Sequence, residues 1–232
     1  MNAFLNRNLL TQTGSDSGAL NVHGTVMHHF SESGTYLGTL LRGEEIVGQF
    51  TLVVEGKNPA MQVDIDLNSL DRPATLRQGG ELKDTFSLSP EGYAVFHVST
   101  GKGGYAVVVT GLQEGRKITV FDSRALNEGD YFVANLLRPG TYALANTCNK
   151  SRGTIVIDYP EIGRVLRQPL EPVSIIATAK AFEPGHVQLK PTQGLVFSFK
   201  TISRIEIKLE KPDDGPEKAR RPRLLRRRRL AP

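Results

Sequence analysis

LRPGTYALANTCNKSRGTIVI, residues 137–157, decides how this chain is read, because its pattern recurs 49 residues upstream in LSPEGYAVFHVSTGKGGYAVV, residues 88–108. Without a gap, Leu88, Pro90, Tyr93, Ala94, Gly104 and Val107 match Leu137, Pro139, Tyr142, Ala143, Gly153 and Val156. Each stretch reads as a β-hairpin: a Pro/Gly turn, a tyrosine-bearing strand, a polar glycine-containing loop and an apolar β-branched return strand. The match extends upstream to Gly80 against Gly129, so two related β-domains in tandem are expected.

Outward from these stretches the period stays at two. Residues 21–29, 35–41 and 46–55 are candidate strands, and MQVDIDL (61–67) alternates Val63, Ile65 and Leu67 with Gln62, Asp64 and Asp66, the pattern of a half-buried antiparallel strand. KITVF (117–121), YFVAN (131–135), SIIATA (174–179), HVQL (186–189), LVFSF (195–199) and RIEIKL (204–209) continue the series. Short strands with turn signals about every ten residues indicate sandwiches or barrels. No segment keeps a 3.6-residue apolar period for three turns. The expected fold is all-β: two tandem Greek-key-like β-sandwich domains at 21–113 and 114–210, with a polar arm at 1–20 and a basic tail at 211–232.

A chain of 232 residues can bury such cores unaided, and 23 glycines with no Trp suit a turn-rich β-protein. A single cysteine, Cys148, excludes an internal disulfide framework. The first twenty residues hold no apolar core of signal-peptide length and no run approaches a membrane span, so a soluble protein in the cytoplasm or within an assembled particle is expected.

Charge is concentrated at one end. Residues 211–232 carry nine Lys/Arg against Asp213, Asp214 and Glu217, a net +6, which leaves −1 for the rest of a chain whose total is +5. Arg220, Arg221, Arg223 and Arg226 to Arg229 are the expected partner-binding residues, because guanidinium groups pair with phosphates and carboxylates bidentately. Leu224, Leu225 and Leu230 also allow contact with an anionic membrane surface. The partners expected are protein subunits of an assembly, or nucleic acid or an anionic surface through the tail.

Other residue patterns are weighed against plainer readings. His23, His28 and His29 cannot ligate one metal from one strand, since neighbours point to opposite faces and His23 lies about 20 Å from His29 at ~3.3 Å per residue. Asp64 and Asp66 read as solvated carboxylates, lacking the oxygen set calcium needs. GKGG (101–104) lacks the phosphate-loop spacing and following helix, and reads as a hairpin turn. No nucleophile elbow occurs, so no catalytic residue and no enzyme activity are expected.

PGTYALANTCNKSRGTIVI (139–157) resembles the last hairpin of cupredoxins, where a Pro-Gly-Thr-Tyr strand leads to a Cys ligand and a Gly-Thr-Ile-Val strand closes the sheet. AFEPGHVQLKPTQGLVFSF (181–199) is similar to the opening strands of that family. The resemblance implies a sandwich and, as an alternative function, a copper module using Cys148 with His97 or His186. Residues 149–153 supply neither the His nor the Met that would complete a copper set, so no metal and no cofactor are expected and Cys148 is expected buried. The leading expectation is a non-enzymatic structural or interaction protein, a subunit of a larger assembly.

Overall fold

The computed structural model describes residues 11, 13–56, 60–71, 84–113, 115–159 and 170–215. The fold is all-β. Its strands are β1 (Gly14–Asp16), β2 (Gly24–Phe30), β3 (Gly34–Arg42), β4 (Glu45–Val54), β5 (Gln62–Asp66), β6 (Asp84–Leu88), β7 (Gly92–His97), β8 (Tyr105–Gln113) and β9 (Arg116–Asp122), followed by β10 (Tyr131–Asn135), β11 (Gly140–Asn146), β12 (Arg152–Ile157), β13 (Val173–Ala177), β14 (Phe182–Glu183), β15 (His186–Leu189), β16 (Gly194–Phe199) and β17 (Ile205–Pro212). A one-turn helix, α1 (Leu67–Leu70), follows β5, with the Asp66 carboxylate accepting from Asn68 N–H as its cap.

Alternation in the sequence becomes alternation of burial. Along β11, Gly140, Tyr142, Leu144 and Asn146 face inward, while Thr141, Ala143 and Ala145 are half-exposed. Three sheets result, in the orders β6-β4-β3-β8-β9, β1-β17-β11-β12-β15 and β14-β13-β16-β10-β2-β7-β5.

One pairing scheme occurs twice. In the first half of the chain β3 pairs antiparallel with β4 and β8, β6 joins β4 in parallel, β7 pairs antiparallel with β2, and β5 joins β7 in parallel. In the second half β11, β12, β17, β15, β16, β10 and β13 repeat each of those relations with the same sense. The outer places beside β8 and β17 are filled by β9 and β1 respectively. Tyr36 O–H donates to Glu32 O at 2.8 Å and Tyr142 O–H to Arg138 O at 2.7 Å, so the GTY triplets at 34–36 and 140–142 lie at corresponding places, 106 residues apart.

That offset explains how the halves join. β2 and β10 are corresponding strands, and they pair antiparallel with Val26 opposite Phe132, its own counterpart at 106 residues. The halves are therefore related locally by a pseudo-twofold through this residue pair. The seven-stranded sheet runs through both halves, and a single cluster of buried side chains underlies all three sheets. Phe50, Phe96 and Phe121 form a run of rings with centroids 5.9 and 5.4 Å apart, and Phe132 and Phe197 meet at 5.7 Å. Each such ring contributes about 1.5–3 kcal/mol by burial.

Several expectations change here. Residues 137–157 do form a hairpin, β11–β12, but residues 88–108 do not: β7 lies in the seven-stranded sheet and β8 in another. The two stretches match at 49 residues because a hairpin and a sheet-to-sheet crossing both place a polar turn between two apolar strands. The boundary at 113/114 cuts the β8–β9 hairpin, whose turn uses Gly115 at φ 77°. The arm at 1–20 contains β1, a strand of the second half's sheet, and Leu20 at 0 % exposure. Separate sandwiches are also replaced by halves that share a sheet.

Burial raises the phenol pKa of Tyr36, Tyr105 and Tyr142, aided by the Glu32 charge at Tyr36 and by the Asp71 hydrogen bond at Tyr105. The unfolded chain ionises these groups near the usual pKa of about 10 while the folded chain resists, so their contribution is complete below about pH 10 and is lost above it. Thermal unfolding scans between pH 8 and 11 should show a melting temperature that falls above pH 10. The Tyr36→Phe/Tyr142→Phe variant should flatten that fall while losing about 1 kcal/mol per hydroxyl at neutral pH.

Candidate interaction surfaces

The N-terminal segment 13–20 is a strap across the two halves. Gly14 to Asp16 pair with Lys208 to Glu206 on β17, and Leu209 N–H donates to Thr13 O. Arg204 grips Asp16 bidentately, Nε to Oδ1 at 3.0 Å and Nη2 to Oδ2 at 2.8 Å. Ser17 Oγ accepts from Ile205 N–H at 3.1 Å. Three residues on, Leu20 bonds Tyr105 and Gly104 of the first half through its backbone. Gly103, at φ 68°, passes so close to Leu20 O that any side chain there would collide with it. The GKGG stretch is thus a cradle for the strap on a sheet-to-sheet crossing, not a hairpin turn.

Other polar groups are tied into the fold. Arg42 donates to Asp71 Oδ2 at 2.6 Å and to the Tyr105 hydroxyl at 2.6 Å, which in turn donates to Asp71 at 3.0 Å. Burial pushes the Asp66 carboxyl up, but hydrogen bonds from Ser99 Oγ–H, Ser99 N–H and Asn68 N–H, with the nearby His97 charge, hold it below the ordinary carboxylate value. Asp66 is a cap and loop clamp, and Asp64 accepts from Gln62 Nε2 on the exposed side of β5. The pair does not act as one site.

The histidines are apart, as strand geometry requires. His28 Nδ1 lies 2.6 Å from buried Asp130 and its ring packs on Phe30 and Phe121, whereas His29 Nε2 reaches Glu91 at 3.0 Å and its ring meets Tyr93. His23 is buried, and His186 is exposed at the start of β15. Cys148 is exposed, contrary to expectation. Asn146 Oδ1 accepts from Cys148 N–H and Asn149 Oδ1 from Ser151 N–H, and these side-chain turns hold Cys148 outward in the β11–β12 turn. Among the described residues no three His, Cys, Asp or Glu side chains converge as metal ligands. No described helix is long and apolar enough to cross a membrane.

A groove of about 590 Å³ runs over the outer face of the β17-β11-β12 strands, floored by Ala143 and Ala145 and flanked by Arg152 and the Lys208–Glu206 ion pair. It exists because β11 carries alanines between longer side chains. Arg220, Arg221, Arg223 and Arg226 to Arg229 lie outside the described residues.

No family model, no curated protein and no solved structure matches this chain.

What sequence reasoning missed is the strap and the pairing of Asp16 with Arg204 across 188 residues. One signal was available for the register of the halves: the identical GTY triplets at 34–36 and 140–142.

Proposed function

We propose that this protein is a non-enzymatic structural and interaction subunit: two tandem Greek-key-like β-sandwich units, fused through the β2–β10 ladder, whose N-terminal arm and Arg-rich tail engage neighbouring subunits of an assembly. One observation carries the reading. The chain already uses this mode of contact on itself, since an extended N-terminal segment completes the open edge of a sheet and an Arg–carboxylate fork fastens it. The tail carries the same guanidinium chemistry in its sequence, with Arg226 to Arg229 as its densest part. Cupredoxin likeness supports a sandwich unit; copper at Cys148 and nucleic acid at the tail are the rival readings.

Sedimentation of the full chain, read at 260 and 280 nm, tests this. The expected result is a species larger than the 25.5 kDa monomer. Reversal of Arg226, Arg227, Arg228 and Arg229 to Glu should lower the sedimentation coefficient and leave thermal unfolding unchanged. A 25.5 kDa species with a protein-only spectrum removes self-assembly, and metal lost on Cys148→Ser would then favour copper. Excess 260 nm absorbance travelling with the protein would identify nucleic acid as the tail's partner.

A further inference from the structure

We infer that the outer face of the β6-β4-β3-β8-β9 sheet docks against the same face of a second copy of this chain. The inference goes beyond the tail reading and uses no residue of the tail.

Strand register sets the outward side chains in rows. Thr51, Leu37 and Thr110 lie opposite one another across β4, β3 and β8, and Gln49, Thr39 and Val108 form the next row. Gln49 is exposed and the other five are half-exposed, whereas the alternate residues Tyr36, Leu40, Leu52, Val107 and Val109 are buried in the core. Two large apolar side chains stand at opposite ends of the same outer face. Leu112, 78 % exposed, lies beyond Thr110 on β8, and Ile46, 49 % exposed, lies opposite Leu41. None of these outward positions carries a charge. The margin at β9 does, with Lys117 opposite Leu112 and Asp122 opposite Val108, the latter held bidentately by Arg124.

The second half provides the comparison, because it builds the same ladder from β12, β11 and β17. Thr154, Ala143 and Lys208 form the row that corresponds to Thr51, Leu37 and Thr110. Arg152, Ala145 and Glu206 form the row that corresponds to Gln49, Thr39 and Val108. One architecture thus carries charges on its outer face in one half and none on the matching strands of the other. A solvated antiparallel sheet turns its polar residues outward, and the first half departs from that rule over three adjoining strands. A continuous uncharged face with exposed leucine and isoleucine marks a contact surface.

The chemistry of the face selects its occupant. Nucleic acid or the arginine tail would bring charges to a surface with nothing to pair them, and burying an unpaired charge is costly. The same face on a second copy brings no charge to the centre and leaves the charged margins at the rim. The area is also sufficient. Five strands about 4.8 Å apart and the nine residues of β3 at about 3.3 Å each give roughly 700 Å² per copy, or about 1,400 Å² for two. Stable interfaces bury about 1,200–2,000 Å².

The test is sedimentation equilibrium of the full-length chain at low salt. Gln49→Arg/Thr110→Lys gives the face the residues of the second half at those places, where Arg152 and Lys208 show that the ladder accepts them. Two such faces repel, so this variant should associate about a hundredfold more weakly than the unaltered chain. Thr154→Lys adds a charge to the outer face of the second half and should leave association unchanged. Circular dichroism of each variant confirms that it is folded. The chain with Arg226 to Arg229 reversed to Glu keeps the face, so it should remain a dimer even where the tail reading fails. The inference is overturned if that tail-reversed chain is monomeric up to about 100 µM, whether another partner covers the face or none does. It is equally overturned if Gln49→Arg/Thr110→Lys associates as tightly as the unaltered chain, or if Thr154→Lys weakens association as much.

Discussion

Phe132→Ala is expected to lower the stability of the whole molecule by about 3–5 kcal/mol, in one transition that includes both halves. Phe132 is fully buried and sits opposite Val26 at the centre of the β2–β10 ladder, with its ring 5.7 Å from that of Phe197. Truncation removes the transfer free energy of the ring and leaves a cavity where the two halves meet. The shared sheet, the single core and the strap from β17 to Tyr105 couple the halves, so neither can open while the other keeps its edge covered. Urea unfolding followed by amide signals of Val107 in the first half and Ile155 in the second should give coincident midpoints, both moved by the substitution. Separate midpoints, with only the second moved, would show that the halves unfold independently.

Gly38→Ala should cost about 3 kcal/mol, at the upper end of what overpacking a core does. Gly38 lies directly opposite Phe50 in the β3–β4 ladder, and a methyl group there would overlap three atoms of the Phe50 ring. The second half reverses the arrangement, with Leu144 opposite Gly153 at the corresponding place. Each ladder thus holds one large and one small residue, on opposite strands. The double variant Gly38→Leu/Phe50→Gly imitates the second half, and it should lose less stability than the two single changes added together. Denaturant midpoints for the four proteins of the cycle measure that coupling; simple additivity would mean that Gly38 is small for some other reason.

Legibility differed by element. β3, β4, β11 and β12 were readable because each is half-buried and alternates, so side-chain chemistry reports directly which face meets the core; β5 was readable as a strand, but it joins β7 in parallel and not antiparallel, since alternation records the buried face and not the direction of the neighbour. β1 was not, because GSD has no apolar residue and is a strand only through its partner β17 and the fork from Arg204. β9 was readable as a strand, yet its sheet was not. Nothing in RKITVFD states that it continues the β8 hairpin rather than opening the next unit. Among the candidate positions, Cys148 was misjudged because a lone cysteine is most often buried, whereas here two asparagine-capped turns hold it outward. The opposite faces of His28 and His29 were foreseeable from strand period alone.

The sequence by itself determined an all-β chain, strands of period two and a basic tail whose charge the rest of the chain does not share. Those properties reside in side chains, whose polarity and charge are written residue by residue. Only the tertiary structure decided that β2 pairs with β10, that the halves correspond at 106 residues rather than 49, and that an N-terminal segment closes the far sheet. The reason is physical: a ladder is held by backbone N–H and C=O groups that every non-proline residue carries, so the choice of partner leaves almost no mark on the strand that makes it.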